Sequence, residues 1–506
     1  MTTVRIRSSA RVGLFLALAF LATVPLSATR FAADSTGGEC FTVLVGKNAS
    51  ADGSVLVAHN EDDRGDIIVN LRKIRPRDYG APQKVDLGKG GVYETDGKTA
   101  GFLWIEATTQ EFADSFINEH GVLITSDSCP SRISEGELTD GGIGYMLRRI
   151  VAEEATSARD AIRVAGDLVE RFGYRAAGRT YSIADKNEAW MLAVLRGRHW
   201  YAQRVPDDEV AVIPNHYTIR QIRPDDPDHF MGSRGIVEYA TKNGWYDQAK
   251  DEPFDFKKAF ERPANRDLAD GNTLRHWRGL NLLGAKTWEL SHDYPFSTKP
   301  AKKITADALM AVLRDHYEGT EYDATDGYKT GTPNRTKFRT ICTSSTINSF
   351  VVSLDAKRPA PLSVAIWLAM GKPDTTVFLP LYNSVENLPP GAGLGQDTHD
   401  YALFYKQHFG DAEFRAAKGG LLHTKVLELE KAAETNYGPM HETLKRELFP
   451  AEKAFIDHRA KFEAEFAAVY ARDKNAASKK LDEYVAGAFA NVAELTGKLL
   501  ARTAER

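Results

Sequence analysis

The stretch from Cys40 to Asp63, CFTVLVGKNASADGSVLVAHNEDD, constrains this chain more than any other. Residues 40–46 (CFTVLVG) and 54–59 (SVLVAH) are rich in β-branched side chains and read as strands. Between them lies KNASADG, whose Asp52-Gly53 pair has turn chemistry. Two strands joined this closely make a hairpin. With residues 46 and 54 facing each other across the loop, position 40 falls opposite about position 60. The hairpin is therefore expected to bring Cys40 beside His59, Asn60 and Asp62.

What precedes Cys40 has a different character. Arg5, Arg7 and Arg11 lead into an uncharged run, Val12 to Leu26. A basic start, a short apolar core and a small-residue tail are the pattern of a secretory signal. We expect a signal peptide over 1–33, cut between Ala28 and Ala33, then a short propeptide over 34–39. The run contains Pro25 and falls short of the ~20 apolar residues of a membrane span. An uncleaved N-terminal anchor is the alternative. The expected location is outside the cytoplasm, periplasmic or secreted, with no stable membrane partner. A net charge of -4 and no basic stripe with interleaved aromatics argue against a nucleic-acid partner. A homo-oligomer is compatible with the sequence.

The chain has 3 cysteines: Cys40, Cys129 and Cys342. Exported proteins usually pair their cysteines, and an odd count leaves one over. With Cys40 as the odd one, Cys129 and Cys342 either form a bridge or sit as small buried hydrophobes.

Strand signals recur at 102–107, in a second hairpin turning at His120-Gly121, and at 181–184, 189–195 and 199–204. Between them, Met146 to Val169 carries apolar residues at helical spacing. The order ββ, ββ, αα, ββ predicts an α+β layered structure rather than βαβ units. The segment 221–335 is rich in loops, strands return at 339–353 and 362–370, and after Gly420 the pattern is helical. Leu481, Tyr484, Val485, Ala488, Phe489, Val492, Leu495 and Leu499 form one apolar stripe, expected to pack on the body.

The nucleophile-elbow, phosphate-loop and zinc-protease signatures G-x-S-x-G, G-x-x-x-x-G-K-[ST] and H-E-x-x-H do not occur. His216, His292 and His316 are far apart in sequence and lack ligand-spaced partners, so neither a metal nor another cofactor is indicated. Cys40 remains. A thiol attacks as thiolate, and a base must take its proton. If the chain is cut before Cys40, the new α-amine has a reference pKa of about 7.7–8.0, well placed for general-base work near neutral pH. Asp62 or Asn60 would then hold that amine. The competing reading is a buried strand cysteine and a solvated turn carboxylate.

Cys40 to Asp63 resembles the N-terminus of the bacterial dipeptidase A and secernin family of N-terminal-nucleophile cysteine hydrolases, which show a C-T-x-x-x-V-G-K-x-A-S-x-D-G-S start and an A-R-N-x-D type element. Further similar segments are NEHGV (118–122), WYAQRVP (200–206), IPNHY (213–217), NGWYD (243–247), LRDHYEGTEYD (313–323) and the WLAMG to FLPLY stretch (367–382). The resemblance implies a four-layer αββα sandwich over 40–405 with a helical extension over 406–506. It also implies self-cleavage before Cys40 and hydrolysis of amide bonds in small peptides. On the matched positions Cys40 is the nucleophile, Asp62 orients the amine, Asn215 contributes to the oxyanion hole, and Asn60 is an orienting residue. His59 stands where an arginine is common, Ser128, with Asp127 beside it, about where related amidases carry another asparagine, and Arg234 at a candidate late-arginine position. Asp62, Asp63 and Asp127 are candidates to meet the free amine of a dipeptide.

The sequence is thus expected to encode an exported cysteine dipeptidase. The alternatives are an acyl-amide hydrolase of the penicillin V, bile-salt or acyl-homoserine-lactone type, and an exported binding protein that keeps the fold without the chemistry.

Overall fold

In the computed structural model, residues 40–63, 67–250, 253–263, 267–326, 328–329, 331–394, 401–410 and 420–504 are described. The expected signal peptide and propeptide lie outside these residues. The predicted first hairpin is formed by β1 (Phe41–Val45) and β2 (Val55–Asp62). Its connection turns at Gly53, φ 83°, and the Asp52 carboxylate accepts from the Ser54 N–H at 3.1 Å. The register pairs Phe41 with Asn60 and Thr42 with His59. Cys40 therefore faces Glu61, one residue along from the expected position 60.

That single step decides what the thiol meets, because successive side chains on a strand point to opposite faces. Leu44 and Val57 pack into one core, while Phe41, Val43, Leu56 and Ala58 pack into another. Thr42 and His59 share the first face with Leu44, and Asn60 points the other way.

The remaining strands are β3 (Val69–Ile74), β4 (Arg77–Asp78), β5 (Lys84–Asp86), β6 (Val92–Glu94), β7 (Lys98–Thr99), β8 (Phe102–Ala107), β9 (Ser115–Asn118), β10 (Leu123–Ser128), β11 (Tyr174–Ala184), β12 (Ala189–Gly197), β13 (Trp200–Arg204), β14 (Val210–Ile213), β15 (Phe230–Gly232), β16 (Thr346–Leu354), β17 (Val364–Ala369) and β18 (Leu379–Tyr382). Four of them join β1 and β2 in a six-stranded antiparallel sheet in the order β14-β1-β2-β16-β17-β18. Eight form a second, in the order β15-β13-β12-β11-β10-β9-β8-β3. The strand expected from 339 begins only at Thr346, because residues 339–345 form the loop that carries Arg339 toward Asp62.

Leu44, Val57, Phe350 and Val352 of the first sheet meet Leu103, Ile105, Met191 and Leu195 of the second in the central core. The outer face of the second sheet, with Trp104, Ile183 and Trp190, is covered by helices α1 (Met146–Glu154) and α2 (Ala158–Phe172). These are the two pieces of the helical segment predicted over 146–169. The outer face of the first sheet is covered by α5 (Gly271–Leu283) and α6 (Ala306–Leu313), the last of four helices that begin with α3 (Ile236–Lys242) and α4 (Phe256–Phe260). The layers run αββα, the sandwich the resemblance implies.

Helix α5 matters most for the site. Asp270 caps its start by accepting from the Asn272 and Thr273 N–H groups. A Cβ at Gly279 would stand 3.0 Å from Val212 and 3.1 Å from Phe41, so glycine lets the helix lie directly on β1 and β14. Beyond α7 (Tyr401–Phe409), four helices span Leu422–Thr435, Tyr437–Glu447, Phe449–Tyr470 and Lys474–Ala504. Leu481, Val485, Ala488, Phe489, Val492 and Leu499 of the expected stripe are buried in the same core as Leu379 and Leu381 of β18. No helix of the described residues is long and apolar enough to cross a membrane.

Candidate active site

Cys40 is fully buried, with its thiol in the layer between the two sheets. Its Sγ donates to Glu61 Oε1 at 3.0 Å. The other Glu61 oxygen lies 3.1 Å from His59 Nε2, and His59 Nδ1 lies 2.7 Å from Thr42 Oγ1. Thr42 in turn donates to Asp127 Oδ2 at 2.7 Å. The hairpin alternation builds the first part of this chain, and β10 of the facing sheet supplies Asp127. Burial, followed by the negative charges of Glu61, Asp127 and Asp62, pushes the Cys40 thiol well above its ordinary range. Burial also raises Asp127 to about 7, against the opposing pull of His59.

The main chain of Cys40 faces different company. Arg275 of α5, itself fully buried, donates from Nη1 to the Cys40 carbonyl at 3.0 Å and from Nη2 to Asn215 Oδ1 at 2.9 Å. Asp62 Oδ2 lies 3.9 Å from Arg275 and 3.0 Å from Arg339, and Asp62 Oδ1 accepts from Thr346 at 2.5 Å. Burial nevertheless raises the Asp62 pKa, outweighing both arginines.

Asn215 follows β14 with φ 64°, a left-handed conformation that asparagine tolerates better than most residues. Its Nδ2 donates to the Ser128 carbonyl at 3.0 Å, so Ser128 is tied to the site through its backbone. Asn60 is fully committed elsewhere. Its Nδ2 donates to the Leu313 and Ile341 carbonyls, both at 2.9 Å, and its Oδ1 accepts from Ser349 at 2.6 Å. It braces the C-terminus of α6 rather than facing the thiol.

Arg234 is exposed in the turn before α3 and does not line the cavity described below. Arg275, which the sequence did not single out, is the arginine that meets the Cys40 carbonyl and Asn215. A signal was present: Arg275 is four residues before Gly279 and eight before Leu283, a charge on a helix stripe that is otherwise small and apolar. Glu61 sits inside the HNEDD cluster, one residue beyond the position that loop length places opposite Cys40.

Asn215 and Arg339 also line a cavity of about 460 Å³. Lys257 and Arg262 add positive charge to its wall, and Glu261 and Asp270 add negative charge. Burial holds Glu261 at about 7, with Lys257 and Arg220 pulling the other way. Asp62 and Asp127 are buried away from this wall. His216 and His292, distant in sequence, both reach it.

Cys129 and Cys342 are buried thiols, so the bridge is not formed. Among the described residues, two groups of three ligand-type atoms lie within 4.8 Å of one another, Cys40 with His59 and Glu61, and His316 with Cys342 and Asp374. The first is the hydrogen-bonded chain already described. In the second, Asn334 bridges the members, donating to Asp374 at 3.0 Å and standing 3.3 Å from His316. Burial opposes charge on His316, yet Glu318 and Asp374 raise its pKa, and Asp374 is lowered against its own burial. That is the signature of a buried ion pair.

A "Probable dipeptidase" of Latilactobacillus sakei is 27% identical over 429 residues, covering 78% of this chain and 88% of that protein. A "Probable dipeptidase" of Salmonella dublin is 27% identical over 375 residues, covering 70% of this chain and 83% of its own. A penicillin V acylase structure from Agrobacterium tumefaciens shares 14% identity over 68% of this chain and 85% of that one, with a TM-score of 0.34. The sequence pattern of Peptidase family C69 matches residues 39–409, and the chain belongs to that family.

Proposed function

We propose that this protein is an exported cysteine dipeptidase whose nucleophile, Cys40, becomes the first residue of the mature chain. The observation that carries the reading is the Arg275 fork. One guanidinium holds the Cys40 carbonyl and Asn215 together, with Asp62 3.9 Å away and a charged cavity beginning at Asn215. The nucleophile's backbone, the oxyanion donor and the carboxylate are positioned as a unit.

In this mechanism Cys40 Sγ attacks the substrate amide carbonyl while the Cys40 α-amine takes the thiol proton. Asp62, held by Arg339 and Thr346, orients that amine. Asn215 Nδ2 turns from the Ser128 carbonyl to the developing oxyanion, a donor of a kind that contributes about 3 kcal/mol or more in other hydrolases. The amine returns the proton to the leaving nitrogen, and water then hydrolyses the thioester. The wall carries both signs of charge, Glu261 and Asp270 with Lys257, Arg262 and Arg339, which suits a substrate bearing both a free ammonium and a free carboxylate. This favours dipeptides over acyl amides, in keeping with the names of the relatives.

The test is a substrate panel of dipeptides, N-acetylated dipeptides and acyl amides. We expect hydrolysis of free dipeptides and its loss in Cys40→Ala. Hydrolysis of acyl amides alone removes the dipeptidase assignment, and full activity in Cys40→Ala removes the nucleophile.

A further inference from the structure

The base in that mechanism does not exist before the chain is cut. While residue 39 is attached, the Cys40 nitrogen is an amide and cannot take the thiol proton. In the unreacted chain solvent does not touch the thiol or its partners: Cys40, Thr42, His59, Glu61 and Asp127 are each no more than 1% exposed. Yet the thiol is hydrogen-bonded to a continuous chain of groups that exchange protons.

We propose that Glu61, His59, Thr42 and Asp127 form a proton relay that serves Cys40 during self-cleavage, before the α-amine is available. The proposal rests on the reading of Cys40 as a self-freed N-terminal residue. Links of 3.0, 3.1, 2.7 and 2.7 Å connect Sγ to Asp127 Oδ2 through Glu61, His59 and Thr42.

The hydrogen bonds fix how the relay is loaded. Thr42 has one hydroxyl proton and gives it to Asp127 Oδ2. Its oxygen therefore accepts from His59 Nδ1–H. His59 Nε2 and Glu61 Oε2 then share a further proton, which leaves Glu61 Oε1 to accept from the thiol. Among the described residues Asp127 Oδ1 has no hydrogen-bond partner, so this carboxylate is held less firmly than a saturated one. Its pKa near 7 suits it to end a relay at neutral pH. Arg179 of β11 is buried nearby and feels the charges of both Cys40 and Glu61.

Sγ forms a bond to the carbonyl carbon of residue 39 as its proton passes to Glu61 Oε1. His59 gives its Nδ1 proton to Thr42, and Thr42 gives its own to Asp127. Glu61 and Asp127 each gain a proton and His59 passes one on, so the relay holds the one proton the thiol gave up while negative charge develops on the tetrahedral oxygen. The carbon–nitrogen bond then breaks, the protons run back, and the departing Cys40 nitrogen receives one to become the amine. Water adds hydroxide to the thioester carbon and its remaining proton to sulfur. A new carboxylate and a chain beginning at Cys40 result.

The test is a time course of intact mass on the full chain, synthesised cell-free and followed from the precursor. General-base loss sets the expectation: Glu61→Gln slows appearance of the Cys40 chain about 100-fold or more, and Glu61→Asp and Asp127→Asn about tenfold. A structural role would not alter the solvent isotope effect. In H2O/D2O mixtures the wild-type rate should fall along a bowed curve, as expected when several protons move together, and Asp127→Asn should straighten it. Thermal melting shows whether Glu61→Gln folds, and if it does not, Glu61→Asp and Asp127→Asn decide. Processing of the variants within twofold of wild type overturns the relay and leaves self-cleavage standing. A wild-type chain that hydrolyses dipeptides while residue 39 stays attached overturns both.

Discussion

Arg275 and Cys40 are joined through the backbone: the guanidinium donates to the Cys40 carbonyl at 3.0 Å from a helix 235 residues away in sequence. The same side chain meets Asn215 at 2.9 Å and Asn272 at 2.7 Å. Its two ends have distinct jobs that only a planar fork performs at once. Arg275→Lys keeps the charge but loses the geometry. We expect kcat/KM to fall about 100-fold, a loss of roughly 3 kcal/mol of transition-state stabilisation. Steady-state kinetics on a good dipeptide check this. Arg234→Ala, in an exposed turn, should change kcat/KM by less than about twofold.

Asn60 should prove a brace. Truncation to Ala leaves the Leu313 and Ile341 carbonyls and the Ser349 hydroxyl without their partner inside the protein. The expected loss is about 2–4 kcal/mol in urea unfolding. A variant with wild-type stability and no activity would return Asn60 to the chemistry.

Glu261 gives a pH signature. It is held near 7, so below that pH it becomes neutral and no longer attracts a substrate ammonium. The groups around it on the cavity wall are His216, Lys257, Arg262, Asp270 and His292. KM for dipeptides should rise as pH falls from about 8 to 6, and Glu261→Gln should raise KM about tenfold and flatten that dependence. A wild-type KM independent of pH across this range contradicts the assignment.

Asp127 links pH to stability. Its folded pKa of about 7 lies above the ordinary 3.8, so the fold favours the neutral acid. The neutral acid is fully populated in both states below about pH 4, and the stability it confers is lost as pH rises to about 7. Asp127→Asn should therefore gain stability relative to wild type across that window, by at most about 4 kcal/mol, since each pKa unit is worth about 1.4 kcal/mol. Chemical melts at pH 4, 5.5 and 7 measure it.

The hairpin was legible because its strands and turn announce themselves locally. Cys40 stood out for the same reason. The register was off by one residue, and that step replaced Asn60 with Glu61 as the neighbour of the thiol. Loop length alone does not set register when residues 46–54 fold into several turns. Arg275, Arg339 and Glu261 arrive from α5, a loop and the residue that ends α4, and only the tertiary fold brings them to Asn215. Asp127 looked like a substrate-facing loop carboxylate, but strand β10 turns it into the dry layer between the sheets.

The most direct test of the account is the N-terminal sequence and intact mass of the protein purified in its dipeptide-hydrolysing form. The expected result is a chain that begins at Cys40. An active chain in which Cys40 remains internal, with residue 39 still attached, would contradict it.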